Sequence, residues 1–255
     1  MPSNARPRIA IPMPHSLDRE YAERAIPQYE HAVEQVGGEP VRIPLDQPSA
    51  EVVQLIKDCD GVLLPGSNAD VDPARFSAPR SLHTAAADPR RDAVDDLLLE
   101  DAYHLRKPVL GICYGLQSLN VYRAGSLIQH IPDFLPEDLR ACVDHEAGRK
   151  VAVAHAVEIE KDSKLAEILN GKEPDGNKLL VPVNSSHHQS AGGIGSGLRI
   201  SARCPDDGII EALEGTAPDH FVLAVQWHPE RSVDQDEPSR AIFRALIQAA
   251  EARRK

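Results

Sequence analysis

A cysteine set between two glycines, Gly111-Ile112-Cys113-Tyr114-Gly115, has the residue types for covalent catalysis. A thiol becomes a nucleophile when a base takes its proton and a third group orients that base. Cys113, His228 and Glu230 supply the three types. Taken singly, each has a plainer reading. Free cysteine is among the most buried residue types, His228 reads as a loop histidine, and Glu230 as a solvated charge. The spacing adds weight, because residues 228 and 230 face the same side if they lie on a strand. Pro229 between them cannot donate to a strand ladder, which suits a strand end. Two more polar clusters, Gly66-Ser67 and His187-His188-Gln189, follow apolar runs in the same manner.

The elements around these clusters show why they would meet. Val109 to Ile112 is a short run apolar on both faces, as in a buried parallel strand. From Leu116 onward, Leu116, Leu119, Asn120 and Arg123 recur at helical spacing. Cys113 therefore sits on a sharp strand-to-helix turn, the arrangement of the serine nucleophile elbow. A helix N-terminus beside a thiol favours its anion. Upstream, strands at Arg8–Pro12, Pro40–Pro44 and Gly61–Leu64 alternate with helical patterns at Tyr21–Val36 and from Ser49 through Ile56. This is the pattern of a parallel sheet covered on both faces. Residues 68–90 read as a long loop and precede a helix bearing Val94, Leu97, Leu98 and Ala102. Further on, Lys150–Ile159 reads as a strand, Ser163–Leu169 as a short helix stopped by Asn170-Gly171, and Leu179–Val183 as a strand. Strands at Leu198–Ala202, Ile209–Glu214 and Phe221–Val225, some of them antiparallel, lead to a closing helix at Ser239–Arg253. No repeat or composition break divides the chain, so one domain over residues 1–255 is expected. In an open α/β sheet the C-terminal strand edge is where ligands bind, and Gly66, Cys113 and His228 all follow predicted strands.

At 255 residues, 42% apolar and only 4% aromatic, the chain has the composition of a globular α/β protein with an aliphatic core. The net charge of −11 argues against nucleic acid or an anionic membrane as partner. Four cysteines without a CxxC pair suit a reducing compartment. Residues 1–8 lack the apolar core of a signal peptide, and no apolar run reaches membrane-spanning length. A cytoplasmic location is the expectation, with homo-oligomerisation left open.

The Gly-x-Cys-x-Gly-x-Gln elbow and the Gln226-Trp227-His228-Pro229-Glu230 segment together resemble the class I glutamine amidotransferase superfamily. Asn184-Ser185-Ser186-His187-His188-Gln189, Asp207-Gly208-Ile209-Ile210-Glu211-Ala212 and Asp70-Val71-Asp72-Pro73 narrow the resemblance to the gamma-glutamyl-gamma-aminobutyrate hydrolase family. It implies an open, mostly parallel, flavodoxin-like α/β sheet with helices on both faces and some antiparallel strands. It further implies hydrolysis of small gamma-glutamyl amides through a thioester on Cys113, with His228 as base and Glu230 orienting it. Backbone N–H groups of Gly66 and Tyr114 would hold the oxyanion. Gln117, His187, His188 and Gln189 would line the glutamyl pocket. Where the family usually carries arginine after the nucleophile, this chain has Tyr114. A residue there would sit at the pocket mouth, so tyrosine would disfavour anionic leaving amines.

No cofactor or metal is expected. His145-Glu146-Ala147-Gly148-Arg149 fails the HExxH zinc pattern at its last position. His187 and His188, being adjacent, point apart, and the sequence offers no evident third ligand. The glycine-rich run 192–197 is not set between a strand and a helix, so it is no dinucleotide site. Two other functions compete with the hydrolase: a glutaminase subunit serving a separate synthase, and a silent binding protein of the same fold.

Overall fold

The computed structural model describes residues 5–169 and 179–254. The expected Asn170-Gly171 helix stop lies outside the described residues. The first half alternates as the periodicity requires, through β1 (Arg8–Pro12), α1 (Arg19–Gln35), β2 (Glu39–Ile43), α2 (Ser49–Lys57) and β3 (Gly61–Leu64). After the long loop, broken only by a 3-10 turn at Pro73–Phe76, come α3 (Pro89–Leu105), β4 (Val109–Ile112) and α4 (Tyr114–Tyr122). The second half holds β5 (Leu127–Ile128), α5 (Ile131–Phe134), β6 (His155–Ile159), α6 (Lys164–Ile168), β7 (Leu179–Val183), β8 (Ser190–Ala191), β9 (Leu198–Arg203), β10 (Ile210–Gly215), β11 (Val222–Val225) and α7 (Glu237–Arg253). The strand expected from Lys150 begins only at His155; Val151 and Val153 are exposed and lie outside it.

The main sheet has the order β2-β1-β3-β4-β11-β10-β9-β6-β7. The first five strands run parallel. From β10 outward each neighbour is antiparallel. The parallel half carries the site, and β10, β9, β6 and β7 extend it.

Alternation along the strands divides the core into two layers. Ile9, Ile11, Leu63, Leu110, Ile112 and Val225 pack against Ile26, Tyr29 and Val33 of α1 and Phe243 and Leu246 of α7. The intervening Ala10, Val62, Leu64, Val109 and Ala224 meet Val52 and Ile56 of α2, Leu98 and Leu99 of α3, and Leu116 and Leu119 of α4. Side chains repeat every second residue along a strand, so one short strand feeds both layers. This is an open α/β sheet with helices on both faces, as the sequence pattern implies. Among the described residues no helix is long and apolar enough to cross a membrane.

Candidate active site

One residue separates β4 from α4, and it is Cys113. Its backbone takes φ 53° and ψ −105°, a region that L-residues rarely occupy and that stores about 1–3 kcal/mol of strain. Neighbouring contacts hold it there. The Cys113 N–H donates to the Val225 carbonyl at 2.8 Å, and the Cys113 carbonyl accepts from Leu116 and Gln117. The flanking glycines are demanded by close approach: a Cβ on Gly115 would lie 2.1 Å from the Leu64 carbonyl oxygen, and one on Gly111 2.8 Å from that of Gly115. The Tyr114 N–H opens α4 beside the sulfur.

β11 lies parallel beside β4, with Ala224 opposite Gly111 and Val225 opposite Ile112. The chain leaving β11 therefore emerges next to Cys113. His228 and Glu230 do not lie on a strand, contrary to the alternation argument. Pro229–Arg231 forms a 3-10 turn instead, and this turn folds Glu230 back so that its Oε1 lies 2.7 Å from His228 Nδ1. The other ring nitrogen is left for the Cys113 side chain, with which His228 is hydrogen-bonded. All three are nearly enclosed, at 7%, 3% and 5% exposure for Cys113, His228 and Glu230. Burial would by itself lower the His228 pKa; the Glu230 carboxylate and the Cys113 sulfur outweigh it and raise it to about 9. Burial likewise works against the Glu230 anion, yet His228 and Arg231 hold its pKa below the usual carboxylate value. The geometry is that of a thiol, a base and an orienting carboxylate in series.

The Gly66 turn is fixed more tightly than the sequence indicates. Arg91, wholly buried on α3, donates to the carbonyls of Pro65 (2.7 Å) and Pro14 (3.1 Å) and pairs with Asp95 at 2.7 Å. The Gly66 N–H donates to the Tyr29 hydroxyl at 3.0 Å. Both ends of the Pro65–Gly66 peptide are thus committed. A buried arginine in a helix cannot be told from a solvated one by periodicity, so Arg91 leaves no signal in the sequence. Tyr29 lies on the expected apolar face of α1, where only its ring is legible.

The remaining expected site residues separate. Gln117 is buried one turn into α4, and its amide nitrogen lies 3.3 Å from both the Gln189 carbonyl and the Gln226 side-chain oxygen. The Gln189 side chain donates to the Gln129 carbonyl. His188 is half-buried and pairs with Asp70 of the long loop at 3.1 Å. His187 is enclosed, its Nδ1 on the Gln189 carbonyl and its Nε2 toward Glu211, so its ring is not open to a substrate. Tyr114 departs most from expectation. Its side chain is 1% exposed, its hydroxyl donates to Asp92 at 2.6 Å, and its ring lies under Arg91 at 4.8 Å. It does not line a pocket mouth. Asn184, to which sequence reasoning assigns no role of its own, bonds twice to the His228 backbone.

The chain is 33% identical to gamma-glutamyl-gamma-aminobutyrate hydrolase PuuD of Escherichia coli (strain K12) over 96% of its length and 94% of that protein's. It is 31% identical, over 87% of each chain, to a Rickettsia prowazekii protein named as glutamine amidotransferase-like. Among solved structures, a GMP synthase subunit from Thermoplasma acidophilum superposes with a TM-score of 0.64 at 15% identity. The alignment covers 98% of this chain and 96% of that one, and it shows the shared fold. The Peptidase C26 family model matches residues 10–230, from the first strand to the carboxylate of the Cys113–His228–Glu230 series. By that match and the likeness to the hydrolase, the chain belongs to the Peptidase C26 family of class I glutamine amidotransferase-like proteins.

Proposed function

We propose that the protein is a cysteine-dependent hydrolase that cleaves the amide bond of small gamma-glutamyl amides. The observation that carries this reading is His228 held between Cys113 and Glu230 on a strained turn at the C-terminal edge of the parallel strands. The raised His228 pKa favours an imidazolium beside the sulfur at neutral pH. Attack by Cys113 forms the S–C bond. His228 gives its proton to the departing amine as the C–N bond breaks, then takes one from the water that cleaves the thioester. Free thiol and glutamate result. Glu230 holds the ring in orientation throughout.

In this reading the oxyanion is held by the Tyr114 N–H at the start of α4 and by an N–H of the Gly66-Ser67 turn. The Gly66 N–H serves only if it is shared with Tyr29; the Ser67 N–H bonds to no described residue and is the alternative donor. Gln117, His188 and Gln189 remain the proposed pocket residues. The likeness to a gamma-glutamyl-gamma-aminobutyrate hydrolase supports the substrate class.

The test is a panel of gamma-glutamyl amines assayed beside glutamine, with Cys113→Ala as control. Iodoacetamide labelling should run in a Cys142→Ser background, because Cys142 is exposed. Burial pushes the Cys59 and Cys204 thiols up to about 11 and about 12, which keeps them unreactive. Hydrolysis lost with Cys113, and labelling of Cys113 blocked by a gamma-glutamyl ligand, are the expected results. Turnover of glutamine alone would turn the assignment to a glutaminase, and turnover by Cys113→Ala would end the nucleophile assignment.

A further inference from the structure

A second cluster of buried polar side chains lies outside the Cys113–His228–Glu230 series. Glu211 of β10 is fully enclosed, and three histidines from separate segments converge on its Oε1 atom. His145 Nδ1 lies at 3.1 Å, His187 Nε2 at 3.4 Å and His155 Nε2 at 3.5 Å. All three rings are at most 4% exposed.

The far nitrogen of each ring fixes what the near one offers. His187 Nδ1 lies 2.8 Å from the Gln189 carbonyl, and His155 Nδ1 lies 2.9 Å from that of Ala156. A carbonyl only accepts, so both rings carry their proton at Nδ1 and, when neutral, turn a lone pair toward Glu211. His145 Nε2 lies 2.8 Å from Asp207 in the same manner, leaving Nδ1 for Glu211. Despite the short separations, neither Glu211 oxygen has a hydrogen-bond partner among the described residues, nor do the near nitrogens of His155 and His187. The nitrogens are close to the carboxylate without being aimed along hydrogen bonds to it.

Lone pairs facing a buried carboxylate need a cation among them. Histidine ligands of metals donate their second ring N–H to a carboxylate or backbone carbonyl, as all three rings do here. Metal–donor bonds of about 2.0–2.2 Å in a tetrahedral site place the donor atoms about 3.3–3.5 Å apart. Glu211 stands at nearly that separation from His145 and His187, and the three donor atoms lie within 4.8 Å of one another. We propose that His145 Nδ1, His187 Nε2 and the Glu211 carboxylate form a binding site for a divalent transition-metal ion, with zinc the best match to a nitrogen–oxygen donor set. His155 approaches the same carboxylate from outside this trio. A cavity of about 210 Å³ lined by His145, His187 and His188 supplies an entry path.

The site ties the 135–150 excursion and the segment after β7 to β10. That segment begins with Asn184, which holds His228, so a bound ion would brace the neighbourhood of the catalytic base. Two of the three ligands come from segments whose register the sequence does not show.

The experiment uses the full-length Cys113→Ala protein, so that the thiol cannot capture added metal, after dialysis against a chelator and then plain buffer. Zinc is titrated by calorimetry and cobalt by visible absorption. We expect one saturable site per chain, d–d absorption from bound cobalt, and a Tm that rises with zinc. Glu211→Gln and His187→Ala should each weaken binding at least about a hundred-fold, and Asp207→Asn about 10–100-fold. His83→Ala should not change it, because the exposed His83–His130–Asp133 group is a separate candidate. Circular dichroism of each variant reports its folding, and the cobalt spectrum of the intact site depends on no variant. Absence of saturable zinc binding in the folded protein overturns the proposal and leaves a protonated histidine as the counter-charge of Glu211. Unchanged affinity in Glu211→Gln and His187→Ala, or its loss in His83→Ala, overturns it equally.

Discussion

Asn184 grips the backbone of His228 with both ends of its amide. The Asn184 Nδ2 group donates to the His228 carbonyl at 2.9 Å, and Oδ1 accepts the His228 N–H at 2.9 Å. The base of the proposed reaction is therefore positioned twice, by Glu230 at its ring and by Asn184 at its main chain. Replacing Asn184 with Ala leaves a buried N–H and C=O unpaired, at a cost of about 1–3 kcal/mol for each group. Thermal unfolding should show the loss, and kcat should fall with little change in KM. An Asn184→Ala enzyme with wild-type kcat would show that Glu230 alone positions the base.

The raised His228 pKa sets the alkaline limit of activity. His228 must hold a proton for the leaving amine, so kcat/KM should fall as pH rises through about 9. The limb belongs to the coupled Cys113–His228 pair. Glu230 supplies part of the upward shift, with Arg231 3.7 Å from its Oε1; Tyr21 and Tyr29 nearby have raised pKa values and stay neutral through this range. Glu230→Gln should therefore move the limb to lower pH and reduce kcat by about 10²–10⁴-fold. The linkage has the same sign. A histidine whose folded pKa is raised contributes stability below about pH 6.5 that is lost as pH climbs through the folded value. A pH–rate profile whose alkaline limb is unmoved by Glu230→Gln would place the orienting carboxylate elsewhere.

What was legible in the sequence was local. The Cys113 turn combines an apolar tetrapeptide, two glycines and a helical repeat, all within 13 residues of Val109 to Val121, and each constraint acts between near neighbours. The closeness of His228 and Glu230 was also legible, though for the wrong reason, because a proline-led 3-10 turn replaced the strand. The partners of Gly66 and His228 were not legible. Tyr29 reaches Gly66 across 37 residues, and Asn184 reaches His228 across 44. Apolar periodicity says which face of an element is buried and is silent on which polar groups meet there. The same limit hid the convergence of His145, His155 and His187 on Glu211, which requires the register of β6 and β10.

Tyr29 separates the two possible donors of the Gly66-Ser67 turn. With Arg91 on the Pro65 carbonyl and the Tyr29 hydroxyl on the Gly66 N–H, the intervening peptide has one orientation. Tyr29→Phe keeps the ring in the core and removes that acceptor. If the clamp serves to aim the Ser67 N–H, kcat should drop, by up to the roughly 10²–10³-fold that one oxyanion donor supplies, at nearly constant KM. A rise in kcat would instead show that Gly66 is the donor and that the phenol competes with the oxyanion for it.

Tyr114 is a structural residue by its surroundings, and its substitution should read out in stability. The hydroxyl donates to Asp92, which is also held by Arg75 at 2.8 Å, while Arg91 covers the ring. Burial raises the Asp92 pKa, so this carboxylate depends on its donors. Tyr114→Phe deletes one of them inside the protein and should cost about 1–3 kcal/mol, seen as a lower denaturant midpoint at an unchanged slope. Tyr114→Arg would place a further cation among Arg75 and Arg91, and should destabilise more. Neither change should alter the preference between gamma-glutamyl substrates with and without a carboxylate on the leaving amine, because the side chain at 114 points into the protein. The measurement is the ratio of kcat/KM for such a pair. Movement of that ratio by tenfold or more in Tyr114→Arg, about 1.4 kcal/mol, would mean that position 114 meets the substrate after all.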